Sequence, residues 1–181
     1  MFVAQIERCA TICKLPVTAM TLPRHGGLHM LLLLAFLIGI VAGLRAMTAP
    51  AAVAWGAALG WFDVSQSPLA FMAYRWTPWV FTLLAIVELI TDQLPSTPSR
   101  KVAMQFSARI IMGALSGATI GASGGSLLGG LIAGAIGAVV GTFGGAAGRS
   151  KLAAAFGKDA PAALIEDAIA IVVALLIVAA V

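Results

Sequence analysis

The sequence predicts an all-α, polytopic membrane bundle of about five to six hydrophobic segments, and three observations carry that expectation. Of the 181 residues, 61% are hydrophobic and only 10% are charged, whereas ordinary soluble domains carry about a quarter charged residues. The apolar residues fall in long uncharged windows, 25 to 44, 46 to 62, 110 to 148 and 168 to 181, and a bilayer core needs about 20 mostly apolar residues per helix. The third observation is the 20 glycines, most of them in the second half. No polar stretch is long enough for a separate soluble catalytic domain.

Residues 1 to 29 are expected to be a dispensable polar tail or an over-called start, with Met20 and Met30 as later starts. Cys9 and Cys13 fall in this stretch without a ligand cluster around them. Residues 30 to 181 form a single integral-membrane domain, with halves at about 30–94 and 102–181.

The first span runs from about Leu28 to Leu44. Thr48-Ala49-Pro50 then reads as a helix start, with Thr as the cap and Pro in the first turn. The segment that follows, Ala51 to Phe62, is short enough to be re-entrant or one half of a broken helix. After a polar turn at Asp63 to Pro68, Tyr74, Trp76 and Trp79 form an aromatic belt of the kind found at headgroup boundaries. A span from about Trp76 to Thr91 follows. The loop from Asp92 to Lys101, broken by Pro95 and Pro98, divides the halves.

In the second half Gly113, Gly117, Gly121, Gly125, Gly129, Gly137, Gly141 and Gly145 share a four-residue grid, with Ala133 in its gap. Such a stripe lets helices approach closely, and these glycines are assigned to helix packing. The grid extends about 50 Å at about 1.5 Å per residue, longer than the roughly 30 Å core. It therefore spans two helices, turning at Ala122 to Ser126. Packing within one chain, a subunit interface that would make a homo-oligomer, and a pore lining all use such a stripe. Arg149, Lys151 and Lys158 then mark a basic loop, and Pro161 opens the last helix.

Charges within apolar segments are costly unless they face a partner or water. Glu88 and Asp92 share a helix face, Glu166 and Asp167 lie two turns into the last helix, and Arg45, Arg109 and Arg149 are the natural counter-charges. These seven residues are the candidate polar cavity or ion pairs. If the halves are duplicated, the site lies between Arg45, Glu88, Arg149 and Glu166. Arg45 also precedes the helix start at Thr48, where helix-end charge and guanidinium together would hold an anion such as a phosphate headgroup. Arg45, Arg100, Lys101, Arg149, Lys151 and Lys158 fall on one side, which the positive-inside rule makes cytoplasmic.

Three motifs carry a family resemblance: Gly43-Leu44-Arg45-Ala46-Met47-Thr48-Ala49-Pro50-Ala51-Ala52, Glu88 to Pro95 with Thr97-Pro98-Ser99-Arg100, and Ala163-Leu164-Ile165-Glu166-Asp167. With them, residues 30 to 181 resemble the uncharacterised bacterial integral-membrane proteins grouped as domain of unknown function four-one-two-six. The resemblance implies a multi-pass inner-membrane protein with no established substrate, cofactor or mechanism.

The inventory argues against an enzyme: no Ser, His and Asp constellation and no metal-ligand spacing is present, and His25 and His29 sit in the tail. No catalytic residue, metal or cofactor is expected, and the basic residues do not form a nucleic-acid patch. The expected partner is the bilayer. Two functions fit: a small transporter or permeation protein for an ion, small solute or lipid headgroup, or a structural protein whose glycine-rich helices drive assembly.

Overall fold

The computed structural model describes residues 25–92, 103–156 and 159–181, and among these residues every regular element is helical. Six α-helices follow in chain order: α1 (His25–Leu44), α2 (Thr48–Ala58), α3 (Thr77–Thr91), α4 (Ala103–Ser123), α5 (Leu127–Phe156) and α6 (Asp159–Ala179). A short 3-10 helix, Ala70–Ala73, joins α2 to α3. The expected turn at Ala122 to Ser126 is present, and Gly125 makes it with φ +77, a conformation that a side chain disfavours.

Boundaries differ in three places. Helix α1 begins at His25, so its first turn takes in residues that composition assigns to the tail. Met47, not Thr48, occupies the N-cap position of α2, with no side-chain cap from its own neighbourhood. Helix α5 continues through Arg149 and Lys151 to Phe156, because Leu152 to Ala155 are strong helix formers and no Gly or Pro intervenes. The expected basic loop is thus largely helix. Arg100, Lys101, Cys9 and Cys13 lie outside the described residues, as does Lys158.

Among the described residues two helices are long and apolar enough to cross a membrane, over Gly27–Leu44 and Leu127–Lys151, and Thr77–Thr91 is a shorter apolar helix. Helix α5 lies against both α1 and α4, and α6 closes over α1, α2 and α5. The two halves therefore interleave, since α1 of the first packs chiefly on α4 and α5 of the second.

Glycine makes that packing close. Gly113 and Gly117 of α4 face Gly130 and Gly134 of α5, and Gly39 of α1 also meets Gly134. Gly137 and Gly141 lie against the backbone of Phe36 and Ile40 in α1. A Cβ at any of these positions would collide with backbone. The contacts correct the predicted stripe in part. Gly125 belongs to the turn, Gly129 faces Ser126 and Leu32, and the α5 partners of α4 are Gly130 and Gly134, one residue off the grid. Four-residue spacing fixes a face, but helix rotation fixes which face meets a neighbour.

Small residues are concentrated inside, around a few large ones such as Ile38, Met72 and Ile120, and many large apolar side chains lie outside. The buried set is dominated by Ala, with Gly, Ser and Thr, whereas Trp79, Leu83, Val87 and Ile90 of α3, Ile132, Ile136 and Phe143 of α5, and Leu164, Val172 and Leu176 of α6 are exposed. Water-soluble monomers rarely expose such continuous apolar surfaces.

Gly134→Val should destabilise the fold by about 3 kcal/mol or more through overpacking against backbone. Gly144→Ala, where a Cβ meets nothing, should be neutral or stabilising by up to about 1 kcal/mol. Thermal unfolding of the two variants in one detergent would show whether the close approach or mere glycine content matters.

Candidate functional site

The chain breaks between α1 and α2 over Arg45, Ala46 and Met47. A helix end leaves carbonyls without donors, and a helix start leaves N–H groups without acceptors. Here both sets lie in the interior, where each unsatisfied group is costly.

Residues from distant parts of the chain satisfy them. The Arg109 guanidinium of α4 donates through Nη1 to the carbonyls of Gly43 at 2.9 Å and Leu44 at 2.6 Å. The Glu88 carboxylate of α3 accepts from the N–H of Ala46 through Oε1 and of Met47 through Oε2, each at 2.8 Å. A cation thus sits at a helix C-terminus and an anion at a helix N-terminus, the favourable sense for both macrodipoles. Thr142 of α5 adds a long hydrogen bond, 3.4 Å, to the Gly43 carbonyl.

Arg45 lies in the break itself and is fully buried. It forms ion pairs with Asp92 at the end of α3 and with Asp167 of α6. Nη2 of Arg109 lies 3.8 Å from Glu88 Oε1 and 3.9 Å from Asp92 Oδ2, linking the two arrangements into one network. Five of the predicted residues, Arg45, Glu88, Asp92, Arg109 and Asp167, therefore meet at a single centre contributed by α3, α4, α6 and the α1–α2 break.

Glu166 is buried beside Asp167 in sequence. Arg149 is half-buried on α5, about 10 Å along the axis from Thr142 at about 1.5 Å per residue. Of the quartet expected from a duplicated chain, Arg45 and Glu88 stand at this centre, with Arg109 beside Glu88 and with Asp92 and Asp167 on Arg45. Arg45 is an interior ion-pair partner, as expected of the seven candidate charges. One further expectation changes. The start of α2 is met by the protein's own carboxylate, so the anion expected there is Glu88.

Two features near this centre carry no signal in the sequence. The indole of Trp55 donates to Thr82 Oγ1 at 3.0 Å and stacks edge-on against Trp79, with centroids 5.1 Å apart. Beside them lies a cavity of about 240 Å³ between α2, α3 and α6, walled by Ala51, Ala52, Ala85 and Ala174 with Thr48 and Leu89 at one end.

No protein-family model matches the chain, and neither a curated protein nor a solved structure matches it.

Removing one member of a buried pair leaves the other charge uncompensated. Arg109→Met should accordingly cost about 3 kcal/mol or more, and Glu88→Ala a similar amount. Because the two groups share one network, the double variant should cost clearly less than the sum. Unfolding midpoints of the two single variants and the double variant measure that coupling, and strict additivity would mean the two helix ends are held independently.

Proposed function

We propose that the chain is a multi-pass protein of the bacterial inner membrane, a bundle of five to six hydrophobic segments that passes a small polar solute, an ion or a lipid headgroup through its centre. The observation that carries this reading is the interrupted helix. The end of one helix and the start of a shorter one meet inside the bundle, where three carboxylates and two guanidinium groups converge. Broken helices with charged partners mark the substrate region of many transporters, and ionisable residues within membrane bundles are otherwise rare.

The large-outside, small-inside distribution of side chains supports the membrane setting, because lipid tails solvate Leu, Ile and Trp as well as a protein core does. The resemblance to domain of unknown function four-one-two-six points the same way. The helix rulers fit as well. From Trp76, in the aromatic belt, to Glu88 the chain rises about 18 Å, and from Thr142 to Arg149 about 10 Å. Their sum approaches the roughly 30 Å hydrocarbon layer, with the polar centre nearer the side carrying Arg149 and Lys151.

A second reading has its own support. Both Glu88 oxygens are engaged by backbone, as a purely structural fastener would be, and Gly144 and Gly148 present open small-residue surface to a second copy. Under that reading the protein is an assembly element.

Glu88→Gln separates the two. The amide keeps one acceptor oxygen and removes the charge, so the passage reading expects a folded protein of unchanged hydrodynamic size whose flux in proteoliposomes falls at least about tenfold. Fluxes of protons, potassium and inorganic phosphate are the probes. Unchanged flux in Glu88→Gln, together with loss of oligomer in Gly148→Leu, would favour assembly instead.

A further inference from the structure

We infer that the solute is a zwitterionic phospholipid, handled with its headgroup at the Arg45 centre and the upper part of one acyl chain in the cavity between α2, α3 and α6. The inference rests on the passage reading above and names its substrate class.

The chemistry of the centre selects the headgroup. Arg45 is buried between Asp92 and Asp167, Asp92 also lies 3.9 Å from Arg109 Nη2, and parting Arg45 from Asp167 removes the compensation each gives the other. A lone cation or lone anion compensates only one side. A ligand carrying both signs compensates both, with a phosphate on the Arg45 guanidinium and an ammonium on Asp167, while Asp92 keeps Arg109, so the two exchange partners without exposing either charge.

The cavity selects the rest of the molecule. Its walls offer alanine methyls and Ile86, Ile171 and Leu175. Its two hydroxyl residues are Thr48 and Thr82, and Thr82 Oγ1 already accepts from Trp55 and donates to the Pro78 carbonyl at 2.7 Å. Little remains there for a polar solute, whereas a hydrocarbon chain needs no partner. Thr48 lies three residues past Arg45, Leu89 follows Glu88, and Ile171 stands one turn beyond Asp167, so the apolar cavity adjoins the charged centre.

Helix length brings lipid to the same place. Helix α3 has 15 residues, about 22 Å at about 1.5 Å per residue, and its exposed face carries Trp79, Leu83, Val87 and Ile90. That face is shorter than the roughly 30 Å core, and short apolar stretches are accommodated by thinning the bilayer. Thinning along α3 draws headgroups toward its end, where Glu88 and Asp92 lie. The rim residue Ile86 is exposed on this face, so the cavity opens onto it.

The test is transbilayer movement of lipid. Full-length protein is reconstituted into phosphatidylethanolamine/phosphatidylglycerol vesicles with a trace of headgroup-intact, chain-labelled fluorescent phosphatidylethanolamine, and an impermeant reductant is added outside. The expected result is loss of the protected inner-leaflet fraction, slowed at least about tenfold by Ala85→Leu, which fills the cavity. Ala51→Leu, from the opposite wall, serves if Ala85→Leu fails to fold. A protected fraction unchanged by wild-type protein overturns the inference, and so does equal speed in wild type and a folded cavity-filling variant. Proton, potassium and phosphate fluxes and uptake of a free zwitterion such as glycine are measured in the same vesicles. Solute flux without lipid movement leaves the passage reading standing and this assignment refuted, and absence of all movement removes both.

Discussion

The structure depends on one constraint: a helix interrupted inside an apolar bundle must have its exposed backbone groups satisfied by the protein itself. At Arg45 to Met47 the solution is reciprocal. Arg109 holds the carbonyl end of α1, Glu88 holds the N–H end of α2, and the backbone of the break brings Arg45 between two further carboxylates. Those partners come from three other helices, so the break also sets where α3, α4 and α6 stand. An arrangement that seals two helix ends thereby becomes the most highly charged place in the interior.

Close packing makes the sealed break geometrically feasible. Arg109 can reach the end of α1 because Gly113 of α4 stands where a larger side chain would force the helix away from Ala42 and Gly134. On the other side Gly137 and Gly141 bring α5 onto the backbone of α1, placing Thr142 by the Gly43 carbonyl. The glycines act upon the charged centre through distance: they set the helix separation over which short ionic contacts can form. Large apolar side chains are displaced outward by the same economy of space, and that leaves α3, α5 and α6 with surfaces suited to lipid.

Much of this was legible in the sequence where the signal is local or periodic. The turn near Ser123 followed from a glycine repeat too long for one helix, and α3 followed from an apolar run bounded by Trp76 and a proline-rich loop. The convergence of buried acids and arginines followed from the cost of charges in apolar segments. Pairing did not. Arg45 and Asp92 stand 47 positions apart, and nothing in spacing alone assigns Arg109 to the carbonyls of Gly43 and Leu44. The role of Glu88 was equally hidden, because a cap supplied from another helix leaves no mark beside the helix it caps. Gly130 and Gly134 escaped the repeat because the face α5 turns toward α4 depends on rotation about its axis. The end of α5 was placed too early because basic residues suggest an interface, although Arg, Lys and Ala are also good helix formers.

The central claim is that the sealed break opens to water during function. Its most direct measurement is thiol accessibility within the break, in protein with Cys9 and Cys13 replaced and single cysteines at Ala46 and Met47. Membrane-impermeant reagents are applied from each side of sealed vesicles, with a cysteine at exposed Ala154 as the reference. The account predicts slow labelling at both break positions from the side of Lys151, accelerated when Glu88→Gln loosens the α2 start. Break positions that never label from either side, in either background, would contradict it and leave the charged centre a permanently closed structural joint.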